Sequence, residues 1–260
     1  MIAGLAGRTD QALREVWLAA RAHGYHAGML ALSARSAHAS VDELIEHCAA
    51  VAATIPLVGF TQTAVGGISV PEDFWTRFAR IENVIAVKLA PFDRYKTLAA
   101  VRGTVAAGAQ DKVTLYTGND DHIVLDSLTP YRVMRDGQPV TVRTCSGTGA
   151  SGPAPPYSCS SAAIAAVASG TVDVELLAMD SKVTDCTAAV FDVLNRFAGV
   201  IPGCYEVLRR QGLLQGTWCL DPNEKLSPGQ ADLITRVAND HPELVDDAFV
   251  AANLDRWLTA

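Results

Sequence analysis

The feature that most constrains the fold is the regular spacing of short apolar segments through the first half of the chain. The segments are rich in Val, Ile, Leu and Ala, which is typical of buried strands. They begin near Ile2, Gly28, Leu57, Val84 and Val113, so that their starts lie 26, 29, 27 and 29 residues apart. A steady alternation of strand and helix at this spacing predicts βα units with right-handed crossovers, and therefore a parallel sheet.

Amphipathic segments with recognisable start signals fill the intervals between the predicted strands. Ser40 and Glu43 form a capping-box sequence before the second of these helices. The first helix is predicted to start at Thr9 or Asp10, and the fourth at Asp93 or Arg94. The third is predicted to have Pro71 in its first turn. The near-constant period favours a (β/α) barrel, although a doubly wound sheet also fits. In both folds ligands bind at the carboxyl ends of the strands.

A single lysine lies at the end of the fourth apolar segment. The residues before Lys88 are apolar and partly β-branched, which predicts a strand of a parallel sheet covered on both faces. Two interpretations of Lys88 are open. In an apolar pocket its charged form is poorly solvated, and the free amine is a nucleophile towards carbonyl groups. Alternatively, its long stem carries the ammonium to solvent.

Composition and charge exclude several other classes of protein. The chain is 49% hydrophobic and 19% charged with a net charge of -7, which indicates a globular protein and argues against a nucleic-acid partner. We find neither an apolar run of about 18 residues nor a secretory leader, so we predict no membrane association and a cytoplasmic location. Six cysteines without a C-x-x-C pair are expected to be reduced. Six histidines without H-x-x-x-H spacing predict no metal site.

The second half of the chain has a different organisation. Residues 131–144 predict a β-hairpin around Asp136-Gly137. The segment from Cys145 to Ala166 is rich in Ser, Gly, Ala and Pro and lacks apolar periodicity, which is typical of a linker. Helical patterns return at Thr171. We therefore predict three regions: 1–144 as a partial barrel, 145–168 as an irregular segment, and 169–260 as a helical region.

Four segments, taken in order, resemble one known family. They are Ala3–Gly7, Val58–Phe60, Asn83–Lys88 and Tyr116–Asp121, and they are similar to the dihydrodipicolinate synthase/N-acetylneuraminate lyase family, in particular to a dihydrodipicolinate synthase-like subgroup of unassigned function. The resemblance implies an α/β fold of the (β/α)8 TIM-barrel type. The family's first two βα units have no counterpart in this sequence, and its eighth strand falls on the irregular segment. We therefore expect an incomplete barrel with a C-terminal helical extension.

The resemblance also implies a site. In the family, the lysine that matches Lys88 forms a Schiff base with pyruvate or a related 2-keto acid, and the chemistry needs no cofactor. Lys88 is therefore the predicted catalytic residue. Phe60, Thr117 and Asn119 are expected to line the substrate pocket. Ser33, at the end of the second predicted strand, is a candidate for binding a substrate carboxylate.

The family's catalytic tyrosine falls on Phe60, which has no hydroxyl and cannot relay a proton. Tyr116, on a neighbouring strand, is either a substitute or a core or outward-facing residue. The leading hypothesis is a class I aldolase-type carbon–carbon lyase, or a related dehydratase, acting on a small 2-keto acid. Tails of this kind shape oligomer contacts in the family, which implies a homo-oligomer.

The alternative hypothesis is a catalytically inactive, truncated or frame-disrupted relative with at most a binding or assembly role. One reason is that the segment from Cys145 to Ala166 has a second interpretation besides a linker. Back-translated with GC-rich codons and read one base earlier, parts of it give peptides similar to the strand and helix that the subgroup has there. A shifted reading frame is therefore expected to explain its composition.

Overall fold

The structure is a computed structural model that describes residues 1–7, 9–32, 39–63, 67–146 and 165–259. Its strands are β1 Ile2–Ala6, β2 Ala27–Ala31, β3 Leu57–Thr61, β4 Val84–Leu89, β5 Thr114–Thr117, β6 Tyr131–Arg135, β7 Gln138–Val142 and β8 Cys145–Ser146. Six of them form one parallel sheet in the order β1-β2-β3-β4-β5-β8. Each strand of this sheet pairs with the next sheet strand along the chain, as in a barrel. A doubly wound sheet would reverse its strand order part-way across, so this alternative is wrong.

Four helices alternate with the first five strands: α1 Thr9–His23, α2 Val41–Ala52, α3 Glu72–Arg80 and α4 Arg94–Ala106. The predicted capping box is confirmed, because the Ser40 hydroxyl accepts from the Glu43 backbone and the Glu43 carboxylate accepts from the Ser40 backbone. The Asp93 side chain caps α4 by accepting from two backbone N–H groups. Pro71 precedes the first turn of α3 as its N-cap instead of lying within it, since its backbone is extended.

Glycines allow the helices to pack closely on the sheet and on each other. An added Cβ at Gly59 of β3 would lie 2.7 Å from the ring of Phe78, which α3 buries against the sheet. An added Cβ at Gly103 of α4 would lie 2.5 Å from the Cβ of Trp75 on α3. Both ring-bearing side chains belong to the main hydrophobic core. The space that these two glycines leave is therefore filled by the aromatic residues of α3.

The predicted hairpin is confirmed as an antiparallel pair of β6 and β7. Asp136 and Gly137 at its turn have φ values of 52° and 75°, as a two-residue type I′ turn requires. Tyr131 and Val142, which pair at the open end of the hairpin, are buried in the main core. The hairpin is thus anchored at its base, while Met134 and the turn are exposed.

The chain forms two compact units. The first contains Met1–Asn119 and Thr129–Gly147, and the second contains Asp120–Leu128 and Thr148–Ala260. The first unit therefore holds the sheet, and the second is helical in its described residues. The sequence-based boundaries at 144 and 168 stay a prediction.

The second unit contains, within its described residues, the helices α5 Ile123–Leu128, α6 Val174–Val190, α7 Val200–Arg210, α8 Gln230–Asp240 and α9 Asp247–Leu258. Their apolar core joins Val124 and Leu128 of α5 to residues of α6, α8 and the following turn. A buried polar network adds to it. The Asp192 carboxylate accepts from the Gly199 N–H and the Ser227 hydroxyl, and the Gln230 amide donates to the Gly199 carbonyl. Among the described residues, no helix is long and apolar enough to cross a membrane.

Replacing Gly103 by alanine should destabilise the first unit, even though alanine favours a helix by about 1 kcal/mol over glycine. The added methyl group would also lie 2.9 Å from the Glu72 carbonyl oxygen, so it would push the α3 backbone away. We expect a loss of about 1–3 kcal/mol in unfolding free energy, measured by urea denaturation. Gly4→Ala is the matched control, because its Cβ would meet no described atom within 4 Å. Equal stability of Gly103→Ala and the native protein would contradict the packing described.

Glu206 of α7 is a nearly buried carboxylate held by two arginines. Its side chain is 6% exposed and accepts from Arg209 at 2.7 Å and from Arg210 at 2.8 Å. The hydrogen bond from Arg209, followed by that from Arg210, outweighs the opposing effect of burial and lowers the pKa of Glu206 from 4.5 to about 2. Because the pKa is lower in the folded state, the ionised carboxylate stabilises the fold above pH 4.5.

This contribution should disappear as the pH falls from 4.5 to about 2. We therefore expect Glu206→Gln to be less stable than the native protein at pH 7, and the difference to shrink steadily below pH 4.5. Urea denaturation of both proteins across this range measures it. Asp255→Asn, which removes a charge from an exposed position of α9, is the control and should give a small difference. A stability difference between Glu206→Gln and the native protein that stays constant down to about pH 2 would refute the lowered pKa of Glu206.

Candidate active site

Strand pairing places four side chains in one row across the sheet. The register pairs Phe60 with Lys88, Lys88 with Tyr116, and Tyr116 with Cys145, and paired residues of neighbouring strands point to the same face. The adjacent row on that face consists of Met29, Val58, Ala86 and Thr114. We name the surface formed by these two rows the Lys88 face. Lys88 is the one charged residue of the two rows.

The Lys88 side chain lies near the carboxyl end of β4, between its two neighbouring strands. Its Nζ is 5.3 Å from the centroid of the Phe60 ring on β3. Its Cε is 3.1 Å from the position that a Cβ would take at Gly118, directly after β5. Within the described part of the chain, Lys88 has neither an ion pair nor a hydrogen bond. The amine is therefore flanked by an aromatic ring and a glycine, and no carboxylate of a described residue forms an ion pair with it.

The two faces of the sheet differ in burial. Val87 and Leu89 point towards the helices and are fully buried, whereas Ala86 and Lys88 on the opposite face are half-buried. Near the carboxyl end of β4 the Lys88 side is thus less buried than the helix side, whereas Val84, on the same side as Lys88, is fully buried. That the lysine strand is covered on both faces stays a prediction. Right-handed crossovers place successive helices on the same side of a sheet wound in one direction. The Lys88 face is accordingly half-exposed near the carboxyl end of β4.

Thr117 and Asn119, predicted to line the pocket, do not share the Lys88 face. Thr117 follows Tyr116 and so points to the buried side, where it is fully buried. Asn119 is 1% exposed, and its side chain accepts from the Phe92 N–H at 3.2 Å and donates to the Thr97 hydroxyl at 3.0 Å. Asn119 thereby ties the loop after β4 to α4. The structure therefore buries both residues away from the Lys88 face.

Ser33, predicted to bind a carboxylate, lies outside the described residues.

Tyr116 does share the Lys88 face, and sequence reasoning had left its orientation open. Cys145 is in the same row, and its thiol donates to the Leu115 carbonyl at 3.5 Å. The face of Tyr116 could have been inferred from the sequence, because Tyr116 lies two residues before Gly118 and alternate residues of a strand share a face.

Cysteines and acidic residues elsewhere do not form a second reactive centre in the described residues. The five described cysteines are free thiols, and burial raises the pKa of Cys48 to about 12, which leaves it an inert core residue. The carbonyls of Asp120 and Asp121 accept from threonines of α6 within the second unit. Across the described ranges, no group of three or more His, Cys, Asp or Glu is placed to hold a metal ion.

The single-wound parallel sheet, with a lysine near the carboxyl end of a central strand, is the arrangement of a (β/α) barrel of the TIM type. Solved structures share this fold. The chain is similar to the dihydrodipicolinate synthase of Thermotoga maritima, with a TM-score of 0.68 and 18% identity over 94% of this chain and 75% of that one. No family model and no curated protein sequence matches the chain.

Two further structures have the same fold. The chloride-inhibited dihydrodipicolinate synthase of Acinetobacter baumannii, complexed with pyruvate, gives a TM-score of 0.68 and 20% identity over 93% of this chain and 74% of that one. A Sulfolobus 2-keto-3-deoxygluconate aldolase gives 0.64 and 12% identity over 95% of this chain and 75% of that one. These likenesses confirm the predicted α/β fold of the TIM-barrel type. The predicted incompleteness of the barrel stays a prediction.

Replacing Phe60 by alanine should make Lys88 more reactive towards small amine-modifying reagents, because the ring covers one side of the amine. A cation–π contact at a partly exposed site stabilises by about 0.5–1 kcal/mol, so its loss corresponds to a labelling rate about 2- to 5-fold higher. Peptide mass spectrometry after brief acetylation measures the rate. Lys112, which donates to the Ile81 carbonyl, is the internal reference and should be unchanged. An unaltered rate at Lys88 would mean that the ring does not cover the amine.

Proposed function

We propose that this chain is a class I aldolase-type lyase of the dihydrodipicolinate synthase family, in which Lys88 forms a Schiff base with pyruvate or a related 2-keto acid. The observation that carries the proposal is the setting of Lys88. It is the one charge on a half-exposed sheet face, it has no ion pair or hydrogen bond with the described residues, and an aromatic ring lies beside it. Such an amine suits nucleophilic attack on a carbonyl carbon.

An imine at Lys88 would explain how one site can cleave either a carbon–carbon or a carbon–hydrogen bond. Once the keto carbon is bonded to the Lys88 nitrogen, the protonated imine withdraws electrons from the neighbouring carbon–carbon and carbon–hydrogen bonds. Either bond can then break and leave its electron pair in an enamine. The same intermediate serves a carbon–carbon lyase and a dehydratase on a keto sugar acid. The fold is also that of a synthase structure complexed with pyruvate, which supports a small keto acid as the substrate class.

Several finer features belong to the proposal. Ser33 is retained as a candidate for binding the substrate carboxylate, and Phe60 as an apolar wall beside the amine. Thr117 and Asn119 are reassigned as buried supports of the strand and loop that position the site. We also propose a cytoplasmic homo-oligomer that needs no cofactor. Size-exclusion chromatography with light scattering measures the oligomeric state.

A second candidate is a non-catalytic protein of the same fold. Two observations favour it: Phe60 presents a ring without a hydroxyl next to the amine, and the Lys88 face is half-exposed. Water that reaches an imine hydrolyses it and screens the charges that stabilise it. In this case the chain would bind or assemble without turning over a keto acid.

Borohydride reduction in the presence of pyruvate separates the two functions. The enzyme should gain one covalent adduct, located on Lys88 by peptide mass spectrometry. Lys88→Met should gain none, because no other described residue of the two rows has an amine. The non-catalytic alternative predicts the absence of an adduct on the native protein, and that result would reject the proposed function.

Gly118→Ala tests the position of the Lys88 amine through a change in the rate of adduct trapping. Its Cβ would crowd the Lys88 Cε at 3.1 Å, so the amine must shift by a few tenths of an ångström. We expect the trapping rate to fall by about tenfold, since small displacements of a nucleophile are costly. Gly4→Ala, a glycine-to-alanine change in β1 with no described atom within 4 Å, should react like the native protein. Equal slowing in both variants would show that the effect does not arise at Lys88.

A further inference from the structure

Imine formation needs a proton carrier beside the amine. Attack of the neutral lysine nitrogen on a keto carbon leaves a negative oxygen and a positive nitrogen, and the resulting carbinolamine must then expel its oxygen as water. Both steps require proton transfer. Phe60 has no proton to give, so among the described residues of the Lys88 face the carrier has to be another side chain.

Three side chains in the two rows have an O–H or S–H group: Thr114, Tyr116 and Cys145. Thr114 is opposite Ala86, one row further from the carboxyl ends of the strands. Cys145 is one strand further from Lys88 and donates to the Leu115 carbonyl. Tyr116 is directly opposite Lys88 on the adjacent strand, at the interstrand spacing of about 4.8 Å.

The side chain of Lys88 also approaches the end of β5, the strand of Tyr116. Its Cε is close to Gly118, which shares the face of Tyr116 because the two are separated by one residue. The amine is therefore on the β5 side of its own strand as well as beside Phe60. A phenol hydroxyl extends about as far from the backbone as a lysine amine does, so the two groups can meet the same substrate carbon from adjacent strands.

We propose that Tyr116 is a catalytic residue that carries protons during imine and enamine formation at Lys88. This inference rests on the proposed function. In the first step the nitrogen–carbon bond forms, the carbonyl π pair moves to oxygen, and Tyr116 protonates that oxygen while its own oxygen takes a proton from the lysine nitrogen. Tyr116 is a neutral phenol again at the end of this step.

In the second step Tyr116 protonates the carbinolamine hydroxyl, which leaves as water with the carbon–oxygen pair. The nitrogen lone pair completes the C=N bond, so a protonated imine and a phenolate result. In the third step the phenolate removes a proton from the neighbouring carbon. The C–H pair becomes the C=C bond of the enamine, the C=N π pair returns to nitrogen, and Tyr116 is restored.

The third step gives a direct measurement, because reversible enamine formation in D2O replaces the methyl hydrogens of pyruvate by deuterium. We expect the native protein to catalyse this exchange, followed by proton NMR, and Lys88→Met to be inactive. Tyr116→Phe should lose about a hundredfold or more in exchange rate, as expected for loss of a general acid–base group. It should still give a borohydride adduct at saturating pyruvate.

The matched control is Tyr95→Phe, the same change at an 88% exposed tyrosine of α4, which should exchange at the native rate. Phe60→Tyr combined with Tyr116→Phe moves the hydroxyl to the other neighbour of Lys88 and should recover part of the exchange. If Tyr116→Phe does not fold, Tyr116→His keeps an acid–base group that titrates near pH 6.5. Its exchange optimum should shift to lower pH.

The outcomes distinguish a failure of the proposed function from a failure of the role of Tyr116, which rests on it. Without a Lys88 adduct on the native protein, the proposed function fails, and the role of Tyr116 fails with it. With an adduct and exchange in the native protein but an equal exchange rate in Tyr116→Phe, the function stands and the role of Tyr116 is rejected. A Tyr116→His profile identical to the native profile also rejects it.

Discussion

The structure depends on the register between three parallel strands, β3, β4 and β5. This register places Phe60, Lys88 and Tyr116 side by side on one face. A shift of one residue in either pairing would turn a neighbour of Lys88 to the opposite face, since side chains alternate along a strand. That Lys88 has a phenylalanine and a tyrosine as its neighbours on the adjacent strands is therefore a consequence of backbone hydrogen bonding.

Packing on the other face holds this register in place. Val87 and Leu89 are fully buried there, and Gly59 leaves room for the ring of Phe78. Polar groups complete the support: Asn119 is bonded to the loop after β4 and to α4. The buried side thus holds the three strands in position, while the opposite, half-exposed side carries Lys88.

Much of this arrangement could be predicted from the sequence. The apolar spacing gave the positions of the five strands, and Ser40 with Glu43 gave the start of α2, because periodicity and capping are local properties. The same local signals did not reveal how residues from distant strands pair. Thr117 and Asn119 follow an apolar strand as pocket residues often do, yet both point to the buried side. Tyr116, left undecided from the sequence, shares the face of Lys88.

The sequence by itself determined the α/β class, the alternation of elements and the lysine near the end of the fourth strand, since each follows from the residues within a short segment. Only the tertiary structure decided which face each side chain occupies, that the sheet is wound in one direction, and that its lysine face is half-exposed. These properties arise from pairing between segments almost thirty residues apart. A one-residue difference in register reverses a side chain without altering any local pattern.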